Sequence, residues 1–184
     1  MNTVVTSRQE ILEAARALAA SNGLAALSIR SVAQAGGISV GSIYNYFPSK
    51  AQLVVAVVED IWKSVTQPQG DDLSDDFVTV VRDLFERIRR GTAEYPSFFS
   101  MHAVCFAPAE KSEGRDAMNA YFAKMEQFLL RALEADVKIR PDAFSGSMTQ
   151  LEFADFVFHN MLSMLGRGVT SCETLLEVIE RVLY

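Results

Sequence analysis

Cysteine occurs twice in this chain, at positions 105 and 172. So few, far apart and in apolar segments, exclude a disulfide framework and fit reduced core thiols in a cytoplasmic protein. Histidine also occurs twice, at 102 and 159. No close pair of His or Cys has metal-ligand spacing, although His102 and Cys105 stand three apart on an expected helix, and no metal is expected. Long apolar runs are missing too, since nothing approaches the ~20 residues that cross a bilayer. No apolar leader follows the polar residues 1–7, so neither secretion nor membrane insertion is expected. There is no Gly-rich phosphate loop, no Gly-x-Ser-x-Gly elbow and no pair of carboxylates beside a base in an apolar setting. No catalytic residue and no cofactor is therefore expected, and an enzyme is disfavoured. No segment has strand alternation, internal repetition or low complexity.

What is present is a chain of 184 residues, 49% of them apolar, which is enough for a sizeable core. Its net charge of −6 does not advertise nucleic acid. The distribution says more. Residues 1–50 hold four basic side chains (Arg8, Arg16, Arg30, Lys50) against two acids (Glu10, Glu13), while the rest holds 13 basic and 21 acidic ones. A mildly basic head on an acidic body would turn the head toward DNA and the body away.

The chain is organised around residues 28–50, SIRSVAQAGGISVGSIYNYFPSK. Ser28 suits the N-cap of a helix over 29–35, with Ile29, Val32 and Ala33 on one face. Gly36 and Gly37 end it, because glycine enters the left-handed conformation without steric cost. Ser39 caps a second helix over 40–47, whose Ile43 and Phe47 point inward. Val40, Gly41, Ser42, Tyr44, Asn45 and Tyr46 are left outside. Pro48 ends this helix, and Ser49 with Gln52 forms a capping box for the next. A further box, Ser7 with Glu10, opens a preceding helix that buries Ile11, Leu12, Ala15, Leu18 and Ala19. Two short helices about a Gly turn, the second showing small and aromatic polar groups, fit a helix-turn-helix reader of DNA. The plainer alternative is a helical hairpin with no DNA role.

The run Gly37-Ile38-Ser39-x-Gly41-Ser42-Ile43-Tyr44-x-Tyr46-Phe47-x-Ser49-Lys50 resembles the signature of the TetR (tetracycline-repressor-like) family of regulators. The usual run there is Gly-Val-Ser-x-Gly-Thr-Leu-Tyr-x-His/Tyr-Phe-x-x-Lys. The resemblance covers about the first 60 residues. It implies that Tyr44, Tyr46 and Lys50 hold phosphates, and that Ser28 and Arg30 contact backbone or bases. Arg8 stands where the family often makes a phosphate contact. In a major groove, Val40, Gly41 and Ser42 would face base edges, with Ser39 and Asn45 beside them. The family often carries a longer polar or basic residue where this chain has Val40, so direct base readout is weak there. The plainer role of Tyr44 and Tyr46 is packing of their rings on Ile29 or Phe47.

Residues 51–184 read as a helical body. Helices are expected over 50–66, 77–92, 97–106, 116–135, from overlapping capping boxes at Ser147 and Thr149 to about 165, and after a Thr170–Glu173 box, with a polar loop over 67–76 and a charged connection over 110–115. With the three of the head this makes nine, an all-α fold with a DNA-binding domain of residues 1–50 and a ligand-binding and dimerisation domain of residues 51–184. The three arginines 87, 89 and 90 suit a solvated helix end better than a second DNA patch. The body is rich in Met and Phe, which for any one residue means ordinary core. Collectively such helices could line an apolar cavity, and the resemblance implies an effector pocket. Its candidate lining is Phe98, Met101, His102, Cys105, Met118, Tyr121, Phe122, Met125, Phe156, His159 and Asn160. Met161, Leu165, Leu175, Leu176, Ile179, Val182 and Leu183 are expected at a two-fold dimer contact, as a four-helix bundle; the plainer alternative is that they close the core of one chain. The reading is a homodimeric regulator that answers a small, mostly apolar effector and represses from a palindromic operator in double-stranded DNA. Its rivals are an effector-independent architectural or cell-division protein on the same fold, and a helical ligand-binding protein whose head is only structural.

Overall fold

The computed structural model describes residues 6–66, 76–95, 98 and 111–184, the side chains of 111–118 excepted. Among them run eight α-helices. These are α1 (Arg8–Asn22), α2 (Ile29–Gly36), α3 (Val40–Tyr46), α4 (Lys50–Thr66), α5 (Phe77–Ala93), α6 (Lys111–Ala135), α7 (Gln150–Gly166) and α8 (Glu173–Leu183). A 3-10 turn, Leu24–Ala26, links α1 to α2. The one extended pairing among the described residues is an isolated bridge between Ser145 and Met148. The expected helix over 97–106 lies outside the described residues apart from Phe98, as do residues 67–75 of the expected loop.

The chain divides into two compact units, the described residues of Met1–Val65 with Arg90–Met118, and those of Thr66–Arg89 with Asn119–Tyr184. In the first unit Ile11, Leu12, Ala15, Leu24, Leu27, Val32, Ile43, Leu53, Val57, Ile61 and Trp62 are buried. Trp62 meets Phe98 edge-on at 5.4 Å between ring centroids. Arg16 on α1 pairs with Asp60 on α4 at 3.3 Å, so one of the four basic side chains of residues 1–50 is already matched inside the unit.

The second unit buries Phe77, Phe85, Leu129, Leu133, Phe153, Val157, Phe158, Met161, Leu176 and Ile179. Phe153 and Phe158 are held by neighbouring rings, from Phe77 and Phe144 on the first and Phe122 on the second. Asp136, buried just beyond α6, accepts from the backbone N–H of Phe77 at 2.9 Å, from that of Lys138 and from the Tyr184 hydroxyl. It thereby satisfies an orphan donor of the first turn of α5.

Helix α6 begins at Lys111, whereas the sequence suggested a charged connection through 115. Lys, Glu and Arg are good helix formers, so a charged run does not by itself end a helix. At α8 the expected Thr170–Glu173 box does not form. Cys172 is the cap, without a side-chain bond, and Ser171 Oγ accepts weakly from Glu173 N–H at 3.3 Å. Cys172 is a free, buried thiol, and burial pushes its pKa up. Cys105 lies outside the described residues.

Candidate nucleic-acid interface

The candidate reader is built from its caps. Ser28 Oγ accepts from Ser31 N–H at 3.0 Å, while Ser31 Oγ accepts from Ser28 N–H at 2.8 Å. This reciprocal pair fixes the start of α2, and it uses a serine where Glu or Gln is the commoner partner. At the other end Gly37 takes φ +62°, and Ile38 N–H returns to Ala33 C=O at 2.9 Å, which closes the helix. Gly36 serves packing instead. A Cβ there would stand 2.7 Å from Ile38 Cδ1 and 3.0 Å from Ala14 Cβ on α1. Two adjacent glycines thus have different reasons, one conformational and one of close approach.

Ser39 then caps α3, accepting from Ser42 N–H at 3.0 Å, and the two hydroxyls share a hydrogen bond of 2.8 Å. Inward, α3 offers Ile43, followed by Phe47, both buried. Outward, Val40 is 40% exposed, Tyr44 50% and Tyr46 41%. Gly41, Asn45 and Lys50 are exposed and Ser42 is half-buried. A Cβ on Gly41 would meet only Ser39 Oγ, at 3.9 Å. Among the described residues nothing therefore requires glycine at 41, and its bareness belongs to the outer surface.

Two expected phosphate ligands differ in readiness. The Tyr44 side chain is half out in solvent. The Tyr46 hydroxyl donates to the backbone C=O of Thr6 at 2.6 Å. A phenol has a single proton to give, so Tyr46 would have to release Thr6 before binding a phosphate. Ser28 and Ser39 likewise act first as caps. Arg8 lies over the Phe47 ring at 5.2 Å to the centroid, a cation–π placement that holds it beside α3. Arg30 is exposed on the first turn of α2. The Thr6–Tyr46 bond joins residues 40 apart, and no local pattern announces it.

The expected pocket residues do not form one described group. Phe98 belongs to the first unit. Met101, His102 and Cys105, and the side chain of Met118, lie outside the described residues. In the second unit Tyr121 is buried and its hydroxyl is hydrogen-bonded to that of Thr66, also buried; burial pushes the phenol pKa up. Phe122 and Met125 are half-buried. Phe156 and His159 are exposed on α7, and Asn160 donates its amide to Phe156 C=O at 2.8 Å. Met161, Leu165, Leu175, Leu176, Ile179 and Leu183, expected at a dimer contact or in the core, are buried within this chain, and Val182 is half-buried. The faces that α7 and α8 turn outward carry Leu151, Phe156 and Val178.

Two short helices about a glycine turn, the second with a neutral, partly aromatic outer face, define a helix-turn-helix protein. Residues 11–57 match the family model described as bacterial regulatory proteins, tetR family. Over 51 residues the chain is 43% identical to the HTH-type transcriptional repressor KstR of Rhodococcus jostii (strain RHA1), a match covering 28% of this chain and 24% of that protein. The chain thus spans about a quarter of the length of the KstR relatives it matches. A longer match, 29% identical over 144 residues, joins it to the nucleoid occlusion factor SlmA of Vibrio campbellii (strain ATCC BAA-1116), covering 72% of this chain and 69% of that one. Among solved structures, BioQ with its double-stranded DNA operator superposes with TM-score 0.67 at 16% identity, covering 96% of this chain and 98% of that one. PfmR from Thermus thermophilus, a TetR family transcriptional regulator, gives 0.59 at 24% identity, with 97% and 96% covered. At these identities the structures share the fold. Residues 11–57 thus carry the TetR family match, and the solved structures extend the likeness of fold to nearly the whole chain.

Proposed function

We propose that this chain is a ligand-responsive transcriptional repressor that binds a palindromic operator as a homodimer. The reading is carried by one observation. Helix α3 presents Val40, Gly41, Ser42 and Tyr44 outward, while Ile43 and Phe47 suffice to seat it on the core. Val40, Gly41 and Ser42 face base edges, Tyr44, Lys50, Arg30 and Arg8 face phosphates, and Tyr46 joins them on giving up Thr6. Residues 1–50 read DNA, and residues 51–184 bind the effector and the second copy. Two heads on half-sites ~34–36 Å apart would enter successive major grooves. The effector is a small, mostly apolar molecule, for which the Thr66–Tyr121 hydroxyl pair supplies a polar anchor in an apolar body. Its entry shifts α4 and spoils the spacing of the heads.

The test is fluorescence anisotropy with DNA from upstream of the chain's own gene, across a salt series. The expected result is tight binding to one palindromic segment, weakening steeply with salt. Tyr44→Ala with Lys50→Ala should weaken it at least ~10-fold, with the far-UV circular dichroism unchanged. Full binding by the double variant would reject the reader assignment. A second reading is favoured by the SlmA match, which extends far beyond the head: an effector-independent DNA-binding protein of the cell-division type. It predicts the same losses in the variant, looser sequence preference and no release of DNA by any apolar compound.

A further inference from the structure

We propose that α6 and α7 carry a zinc site made of Glu126, Asp155 and His159. Asp155 and His159 stand one turn apart on α7, and Glu126 reaches them from α6. One ligand atom from each, two carboxylate oxygens and an imidazole nitrogen, all lie within 4.8 Å of one another. In a tetrahedral zinc site the ligand atoms stand roughly 3.3 Å apart, given bonds of ~2.0–2.1 Å. Both α7 side chains are exposed, so small changes of rotamer close the remaining gap. His159 Nδ1 already lies 3.1 Å from Asp155 Oδ1 and 3.0 Å from the backbone C=O of Asp155.

An Asp–His pair one helical turn apart is by itself an ordinary surface ion pair of little consequence. What singles out this one is the third member. Glu126 is half-buried and brings a second carboxylate beside Asp155 from a different helix. A bound dication would offset the repulsion between two carboxylates placed this close. The donor set also selects the ion. An imidazole nitrogen with two carboxylate oxygens suits zinc and disfavours magnesium or calcium, which take oxygen ligands. Three protein ligands would leave a position for water. Sequence spacing could not assemble the site, because Glu126 lies on another helix.

The tag-free full chain is titrated with zinc chloride by isothermal calorimetry, and its melting temperature is followed alongside. We expect one zinc per chain and a rise in Tm of a few degrees. Magnesium chloride at the same concentration should leave Tm unchanged. His159→Ala and Glu126→Gln should each weaken zinc binding at least ~10-fold, with unchanged circular dichroism. If Glu126→Gln binds zinc as tightly as the parent chain, the ion sits elsewhere or on the α7 pair alone and the site is wrong. Absence of saturable zinc binding, or equal binding of magnesium, overturns it as well.

Discussion

Glycine at 37 and glycine at 41 are chemically the same residue under opposite constraints. At 37 the backbone is left-handed, φ +62°, and an L side chain costs about 1–2 kcal/mol there. Gly37→Ala should lower stability by about that amount in urea titration. At 41 the residue is helical and the space beside it is open. Gly41→Ala should raise stability by up to ~1 kcal/mol, because alanine is the better helix former. The same variant should weaken operator binding in the anisotropy assay, because a methyl group then stands between the helix and the base edges. Equal or tighter binding by Gly41→Ala would show that α3 does not approach DNA closely at this residue.

At the scale of elements, the signals that reach three residues along the chain were legible. The Ser7, Ser28 and Thr149 caps each hold the helix their spacing announces. The apolar faces of α1 to α3 also fall where the period places them, except that Leu18 is half-buried. Pairings that depend on packing were not legible. Thr66 meets Tyr121 and Asp136 meets Phe77 across more than fifty residues, and no periodicity encodes such a distance. The start of α6 escaped because its first residues are charged but still able to form helix. Asp136 yields a test. Burial would push its carboxyl pKa up, but hydrogen bonds from Tyr184, Phe77 and Lys138 outweigh this and hold it below its ordinary value of 3.8. A carboxyl lowered on folding stabilises above its unfolded pKa, and that contribution fades as pH falls through the folded one. Asp136→Asn should therefore cost about 1–3 kcal/mol near pH 7. Its stability should also fall less steeply than that of the parent chain below about pH 4, as measured by urea titration at several pH values. The Tyr184 phenol moves the other way, raised strongly by burial and by the Asp136 carboxylate.

For the whole molecule, no helix among the described residues is long and apolar enough to cross a membrane. The family match rests on residues 11–57, whose motif was readable from the sequence alone. The assembly was less readable. Six of the seven apolar residues expected at a dimer contact or in the core of one chain prove to be core of this chain, because an amphipathic stripe looks the same whether it meets its own body or a second copy. The proposed dimer must then use what α7 and α8 leave outside. Phe156, 46% exposed, is the largest such apolar group on α7. Phe156→Glu should convert a dimeric mass in sedimentation equilibrium to a monomeric one with the helix content retained, and an unchanged mass would move the contact to another face.

The division of labour within α3 bears on how such a protein could acquire a new target. Stability there depends on Ile43, Phe47 and the Ser39 cap, whereas positions 40, 41, 44 and 45 are exposed. A library randomised at those four positions should consist mostly of folded members. Selection could then rewrite the recognised site while the scaffold stays intact, and duplicated copies of such a gene could diverge in address long before they diverge in architecture.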